Sequence, residues 1–123
     1  MSELRVLRDL RELIKFIYSI EFPSDEKYNL QSQIRRAAVS VALNIREGNS
    51  YYDNNRKRFF NIALGSLREV DECMNISLAL NYVPDLIEFS SLYWLCKNQL
   101  SKLSDLSTQS KLSEVKDERK DNN

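Results

Sequence analysis

Two stretches, QIRRAAVSVALNIREG (residues 33–48) and FFNIALGSLREVDE (residues 59–72), decide the fold. At about 100° per residue, Leu30, Ile34, Ala37, Ala38, Val41 and Ile45 gather on one side of a helix. Phe59, Phe60, Ala63, Leu67, Val70, Met74 and Leu78 do the same on the next. One apolar face is what a helix in a bundle needs. Both helices carry more than one, and that surplus is the second clue.

Outward from these stretches the same pattern repeats twice. Residues 3–20 read as a first helix with Val6, Leu10, Leu13, Ile14, Ile17 and Ile20 inward, and Arg8, Arg11, Glu12 and Lys15 outward. Pro23 disfavours helix at Phe22, and Ser24 suits an N-cap followed by Asp25 and Glu26. The second helix then runs from residue 25 or 28 to 47, with Gly48 as its stop. A polar loop, residues 49–55, leads to a third helix ending near residue 81. Pro84 and Asp85 fit the first turn of a fourth, whose stripe is Leu86, Phe89, Leu92, Tyr93, Cys96, Leu100 and Leu103. Short connections between long amphipathic helices imply an all-α, antiparallel up-down-up-down four-helix bundle over residues 1–106. Residues 107–123 are polar and charged, and are expected to form a flexible, disordered tail.

Composition agrees. A chain of 123 residues holds one core, and 42% hydrophobic with 29% charged residues is globular. Only 2 Gly and 2 Pro leave little room for turns, so the elements must be long. Lys+Arg and Asp+Glu both count 18, which gives no global pull toward nucleic acid. The start, MSELRVLRDLRELIK, lacks a secretory pattern, and no apolar run reaches the roughly 18 residues of a membrane span, so a cytoplasmic protein without membrane contact is expected. Cys73 and Cys96 stand alone and read as apolar fillers.

The second stripes are Val39 and Leu43 on one helix, and Ile62, Cys73, Ile76 and Leu80 on the next, with Gly65 and Ser66 beside them. Scattered surface apolars are ordinary; the same surplus on two adjacent helices points instead to a homo-oligomer interface. A polar line, Gln33, Arg36, Ser40, Asn44 and Glu47, runs along the second helix, and on the third Glu69 falls among the second-stripe apolars with Ser66 one turn before it. Its structural meaning is a polar network between subunits or helices in which Arg36 pairs with Glu69 or Glu47; its functional meaning would be a ligand or catalytic pocket.

Chemistry is scarce. With zero histidine the commonest general base and metal ligand is missing, and no phosphate loop, nucleophile elbow or metal-spaced cysteine cluster occurs. No catalytic residue, metal site or cofactor is expected, and the chain is expected not to be an enzyme. A carboxylate pocket around Glu47 and Glu69 is the one enzymatic or small-ligand arrangement the residues allow. A second function class rests on Arg35, Arg36, Arg46, Arg56, Lys57 and Arg58, which with Tyr51 and Tyr52 combine cations and stacking rings as binders of single-stranded RNA or DNA do.

The segments FPSDEKYNL (residues 22–30), QIRRAAVSVALNIREG and FFNIALGSLREVDE, with Asn81-Tyr82-Val83 as the turn into the last helix, resemble the family named for proteins encoded in intervening sequences of 23S ribosomal RNA genes. The likeness spans residues 13–106. It implies a cytoplasmic bacterial four-helix bundle assembling as a homopentamer, with little chemistry. Some relatives, the accessory proteins of diversity-generating retroelements, associate with nucleic acid and a reverse transcriptase. Two features depart from the pattern: the first helix lacks tryptophan, Trp94 being the only one, and NSYYDNNRKR makes the start of the third helix basic. The expectation drawn from residues and resemblance together is a non-enzymatic assembly or adaptor module, with an RNA- or DNA-binding accessory role as the alternative.

Overall fold

A computed structural model of the chain describes the backbone of residues 2–121 and the side chains of residues 5–107. Four helices follow one another: α1 (Ser2–Ser19), α2 (Leu30–Asn49), α3 (Asn54–Ala79) and α4 (Ile87–Asp121), with a single 3₁₀ turn, Ser24–Glu26, between the first two. They close a cycle in which α1 packs on α2, α2 on α3, α3 on α4 and α4 on α1, while among the described residues no Cα atoms of the diagonal pairs come within 8 Å of each other. Contacts run in opposite senses along two of these neighbouring pairs. Asn49 meets Arg56, Ser40 meets Ser66, and Leu30 shares a groove with Ile76, so α2 and α3 are antiparallel. Asp9 meets Gln99 while Glu12 and Phe16 lie beside Glu88, which sets α1 against α4 in the same way.

The buried positions explain why the helices pack like this. One row of them runs along each helix, Val6, Leu10, Leu13 and Ile17 on α1 and Ile34, Ala38, Val41, Ile45 and Gly48 on α2, with Leu7, Leu30, Ala37 and, on α4, Ser104 buried beside these rows. On α3 they are Phe60, Ala63, Leu67, Val70, Met74 and Ser77, and on α4 Phe89, Tyr93, Cys96, Leu100 and Leu103. Every series alternates steps of three and four. That is the 3.5-residue period of helices whose side chains interdigitate along nearly parallel axes.

The period also accounts for two corrections. Leu78, expected in the core by a 3.6-residue count, is 38% exposed, and Ser77 takes the inward place instead. Its hydroxyl donates to the Cys73 carbonyl at 2.7 Å, so no polar group is stranded there. Gly48 does not stop α2, which continues to Asn49 with Gly48 at a negative φ. It occupies a core position that the Phe60 ring fills: a Cβ on Gly48 would stand 2.9 Å from two ring carbons of Phe60.

The helix ends differ in detail from expectation. Ser24 opens the 3₁₀ turn rather than α2, which starts after Asn29. Asp53 caps α3 by accepting the Asn55 N–H at 2.9 Å. The third helix ends on a left-handed residue, Asn81, at φ 61°. There the Tyr82 N–H donates to the Ser77 carbonyl at 2.8 Å and the Asn81 N–H to Leu78 at 3.0 Å, the paired bonds of a Schellman ending. Pro84 and Asp85 precede α4, and Asp85 accepts the Ile87 N–H at 2.9 Å. Beyond Ser104 the described side chains leave the core while the α4 backbone continues to Asp121. The α4 backbone thus runs through the boundary expected at residue 107; the side chains of residues 108–123 lie outside the described residues.

Candidate functional site: the outer face of α2 and α3

The polar line on α2 divides into three parts. Its middle closes against α3: the Ser40 and Ser66 hydroxyls share a hydrogen bond of 3.0 Å, and the Asn44 amide donates to the Ser40 carbonyl at 2.8 Å and hydroxyl at 3.1 Å. Small side chains at this seam let the two backbones approach. One flank holds Gln33, which lines an open groove with Glu69, Glu72, Cys73, Ile76 and Leu80. The other holds Arg36, in a separate groove with Tyr18, Arg35, Val39 and Leu43. Glu47 lies elsewhere, at the end of α2, where the Tyr51 hydroxyl approaches it at 3.4 Å.

Two expectations change here. Within one chain Arg36 pairs with neither Glu69 nor Glu47; among the described side chains the ion pair within reach is Lys15–Glu12, on the surface of α1. Glu47 and Glu69 are not gathered into one carboxylate pocket, because Glu47 does not line the groove that Glu69 borders.

The expected apolar surplus is on the surface. Leu43 is 65% exposed and Leu80 50%, Ile62 and Ile76 are exposed, and Val39, Gly65 and Cys73 are half-buried. Val39 and Leu43 line one groove, and Cys73, Ile76 and Leu80 line another. Burial comes first, with Glu69 and Glu72 adding to it, in pushing the Cys73 thiol above its ordinary value. Cys96 is pushed up to about 12 by burial, then by Asp9. Neither therefore presents a thiolate near neutral pH. Both are unbridged.

The six basic residues divide as well. The Arg35 guanidinium lies 4.5 Å from the Tyr18 ring centre and donates to the Tyr18 carbonyl at 3.4 Å, while its buried Nε has no hydrogen-bond partner. Arg56 donates to the Asn49 and Tyr51 carbonyls, at 3.4 Å and 3.3 Å, and stands over the Phe60 ring. It ties down the last carbonyls of α2, a structural duty at a helix C-terminus. Lys57 reaches across to α4, donating to the Ser104 carbonyl at 3.1 Å and hydroxyl at 3.3 Å, while Ser104 donates to Asn61 at 2.8 Å. Arg36, Arg46 and Arg58 are exposed. Arg58 covers the Phe59 ring, whose plane is stacked with Tyr51, so of the two loop tyrosines Tyr52 alone, at 85% exposure, stands clear.

The sequence did not single out Tyr18, Glu72, Glu26 or Tyr82. The partners of Tyr18, Glu26 and Tyr82 lie across helices or connections, and Glu72 joins its groove through the packing of α2 on α3, so no local pattern marked them. Glu26 is buried and accepts from the Tyr82 hydroxyl and the Asn29 amide, both at 2.8 Å. Tyr82, and then Asn29, hold its carboxyl below the ordinary range. The pair joins the connection before α2 to the connection after α3. Among the described residues no group of three His, Cys, Asp or Glu is placed to hold a metal ion. No described helix is long and apolar enough to cross a membrane.

No curated protein matches the chain at a significant level. The family model described as 23S rRNA-intervening sequence protein matches residues 2–105, which includes both deciding stretches, the seam and the groove residues. The chain belongs to the 23S rRNA-intervening sequence protein family.

Proposed function

We propose that the protein is a non-enzymatic assembly module, a bundle whose function is exercised as a homo-oligomer. The observation that carries this is the outer α2–α3 face, where Leu43, Ile62, Ile76 and Leu80 are exposed together around a closed polar seam. An apolar area this extended on a small soluble bundle is characteristic of a contact surface. The resemblance to homopentameric relatives supports five copies in a cytoplasmic setting. In that role the bundle presents other surfaces in a fixed repeat, which is how an adaptor multiplies weak contacts.

Nucleic-acid binding is the second proposal. Exposed Arg36, Arg46, Arg58 and Tyr52 favour it. The intrachain duties of Arg35, Arg56 and Lys57 reduce the charge it can draw on. Size exclusion with light scattering, recorded at 260 and 280 nm, tests both. A mass of several 14.4 kDa chains with a protein-like absorbance ratio is the expected result. A single-chain mass overturns the assembly role. A 260 nm excess removed by salt would move the arginines to first place.

A further inference from the structure

We infer that the groove between α1 and α2 binds a small organic oxyanion, a carboxylate or phosphate carried on an apolar or aromatic body, and holds it between Arg35 and Arg36. The inference goes beyond the assembly and nucleic-acid readings above and depends on neither.

The cations of this bundle differ in what they bond. Arg56 reaches the Asn49 and Tyr51 carbonyls, and Lys57 the Ser104 carbonyl and hydroxyl, so each is spent on acceptors of its own chain. Arg35 is not. Its guanidinium lies 4.5 Å from the Tyr18 ring centre, and one Nη donates to the Tyr18 carbonyl at a long 3.4 Å. Its Nε is shielded from solvent without an acceptor, and among the described side chains it alone is in that position. A donor on a charged group is costly to bury unmet, so such a group calls for an explanation. Arg36, the next residue, is exposed and makes no hydrogen bond or ion pair among the described residues.

The groove itself, about 380 Å³, falls in the size range of small-ligand sites, and no carboxylate lines it. Val39 follows Arg35 by four residues and Arg36 by three, so both arginines neighbour it on the helix surface. An oxyanion seated above Val39 therefore meets a guanidinium on either side, and the planar fork of each matches a carboxylate or phosphate. Only one long bond and the Tyr18 ring hold Arg35, so its Nε edge can turn to the anion as the ligand enters. Ser40 and Asn44 bond within the seam, which leaves recognition of charge to the arginines. The remaining walls are apolar: half-buried Val39, with the Tyr18 ring 45% and Leu43 65% exposed. Exposed charges alone bind weakly in water. The apolar body is what adds affinity, and inorganic phosphate lacks it.

Heteronuclear NMR of the arginine Nε–H groups in the full native chain tests this, with chloride keeping the ionic strength constant. The Arg35 signal is assigned by its disappearance in Arg35→Lys. Phenyl phosphate should shift that signal to saturation, and inorganic phosphate should need about tenfold more, since it buries no ring. The Arg58 signal, from an exposed arginine outside the groove, should not move. Arg36→Gln should weaken phenyl phosphate about tenfold by removing one charged partner; its exposed position leaves the core intact, which far-UV circular dichroism checks. Absence of a saturable Arg35 shift overturns the site, whether the groove is unsuited or covered by another copy. An equal shift at Arg58, or full binding by Arg36→Gln, overturns it as well. Equal affinity for inorganic phosphate removes the organic ligand class. Oligothymidylate moving the Arg35 signal at lower phosphate concentration than phenyl phosphate would assign the groove to a polynucleotide instead, and so also overturns it.

Discussion

Gly48→Ala and Gly65→Ala should shift stability in opposite directions. Alanine is favoured over glycine inside a helix by about 1 kcal/mol, and both glycines have negative φ, so the backbone accepts either residue. The surroundings differ. At Gly48 the new Cβ would sit 2.9 Å from Cδ1 and Cε1 of Phe60 and 3.1 Å from Cβ of Phe59. Phe60 is fully buried, so its ring has nowhere to withdraw. Overpacking of this kind costs about 1–3 kcal/mol, which exceeds the helix gain and leaves a net loss of about 1 kcal/mol. At Gly65 the nearest atom is a guanidinium nitrogen of Arg68 at 3.9 Å, so the helix gain stands alone. For a chain of this size about 1 kcal/mol corresponds to roughly 4 °C. Thermal unfolding followed by circular dichroism should therefore place Gly48→Ala about 4 °C below the native chain and Gly65→Ala about 4 °C above it. The comparison is made where light scattering gives all three the same mass. If Gly48→Ala also raised Tm, the close approach of α2 and α3 at Phe60 would be refuted.

Three further substitutions probe the joints of the bundle. Asn81→Ala should lower stability by about 1 kcal/mol, because the left-handed position at φ 61° penalises a side chain that lacks the local bonding of asparagine; Asn81→Gly should not, and urea titration distinguishes them. Tyr82→Phe removes the hydroxyl that most lowers the Glu26 carboxyl. A depressed carboxyl contributes stability that is complete above its unfolded value, near 4.5, and disappears as pH falls through the folded one. The Tm gap between native and Tyr82→Phe chains should thus be full at neutral pH and close in acid; a gap independent of pH would contradict this. Lys57→Met keeps the aliphatic stem but loses both bonds to Ser104, so it should cost about 1–2 kcal/mol in urea unfolding. It should leave the oligomeric mass unchanged.

The fold was legible because the core positions repeat. Val6 to Ile17, Ile34 to Ile45 and Phe89 to Leu103 are visible as stripes in the sequence and are buried in the structure. The errors came from treating the repeat as 3.6 residues, which on the 26-residue α3 accumulates enough rotation to exchange Leu78 for Ser77. Gly48 was misread for a related reason. Glycine past a helical run usually marks an ending, and nothing local reveals that Phe60 needs the space. The candidate site was legible only in part. The exposed apolar residues followed from periodicity, since a position that faces away from the core on a straight helix does so whatever its neighbours are. Pairings between side chains did not, because Arg35–Tyr18, Lys57–Ser104 and Glu26–Tyr82 each depend on which helices become adjacent and at what height.

That difference separates folding from assembly on α2. Ser40 and Asn44 bond toward α3 and within α2, so their atoms belong to the seam that holds the monomer together. Arg36 and Leu43, within one turn of them, line the open groove that Ser40 and Asn44 also border, but they alone of the four are exposed. Neighbouring positions on one helix therefore answer to different equilibria. A change at Ser40 should move the unfolding midpoint, whereas in the assembly proposed above a change at Leu43 should move the association constant. The two can be varied independently only because a 3.5-residue period turns the core stripe away from Leu43, leaving the helix a second face that the fold itself does not use.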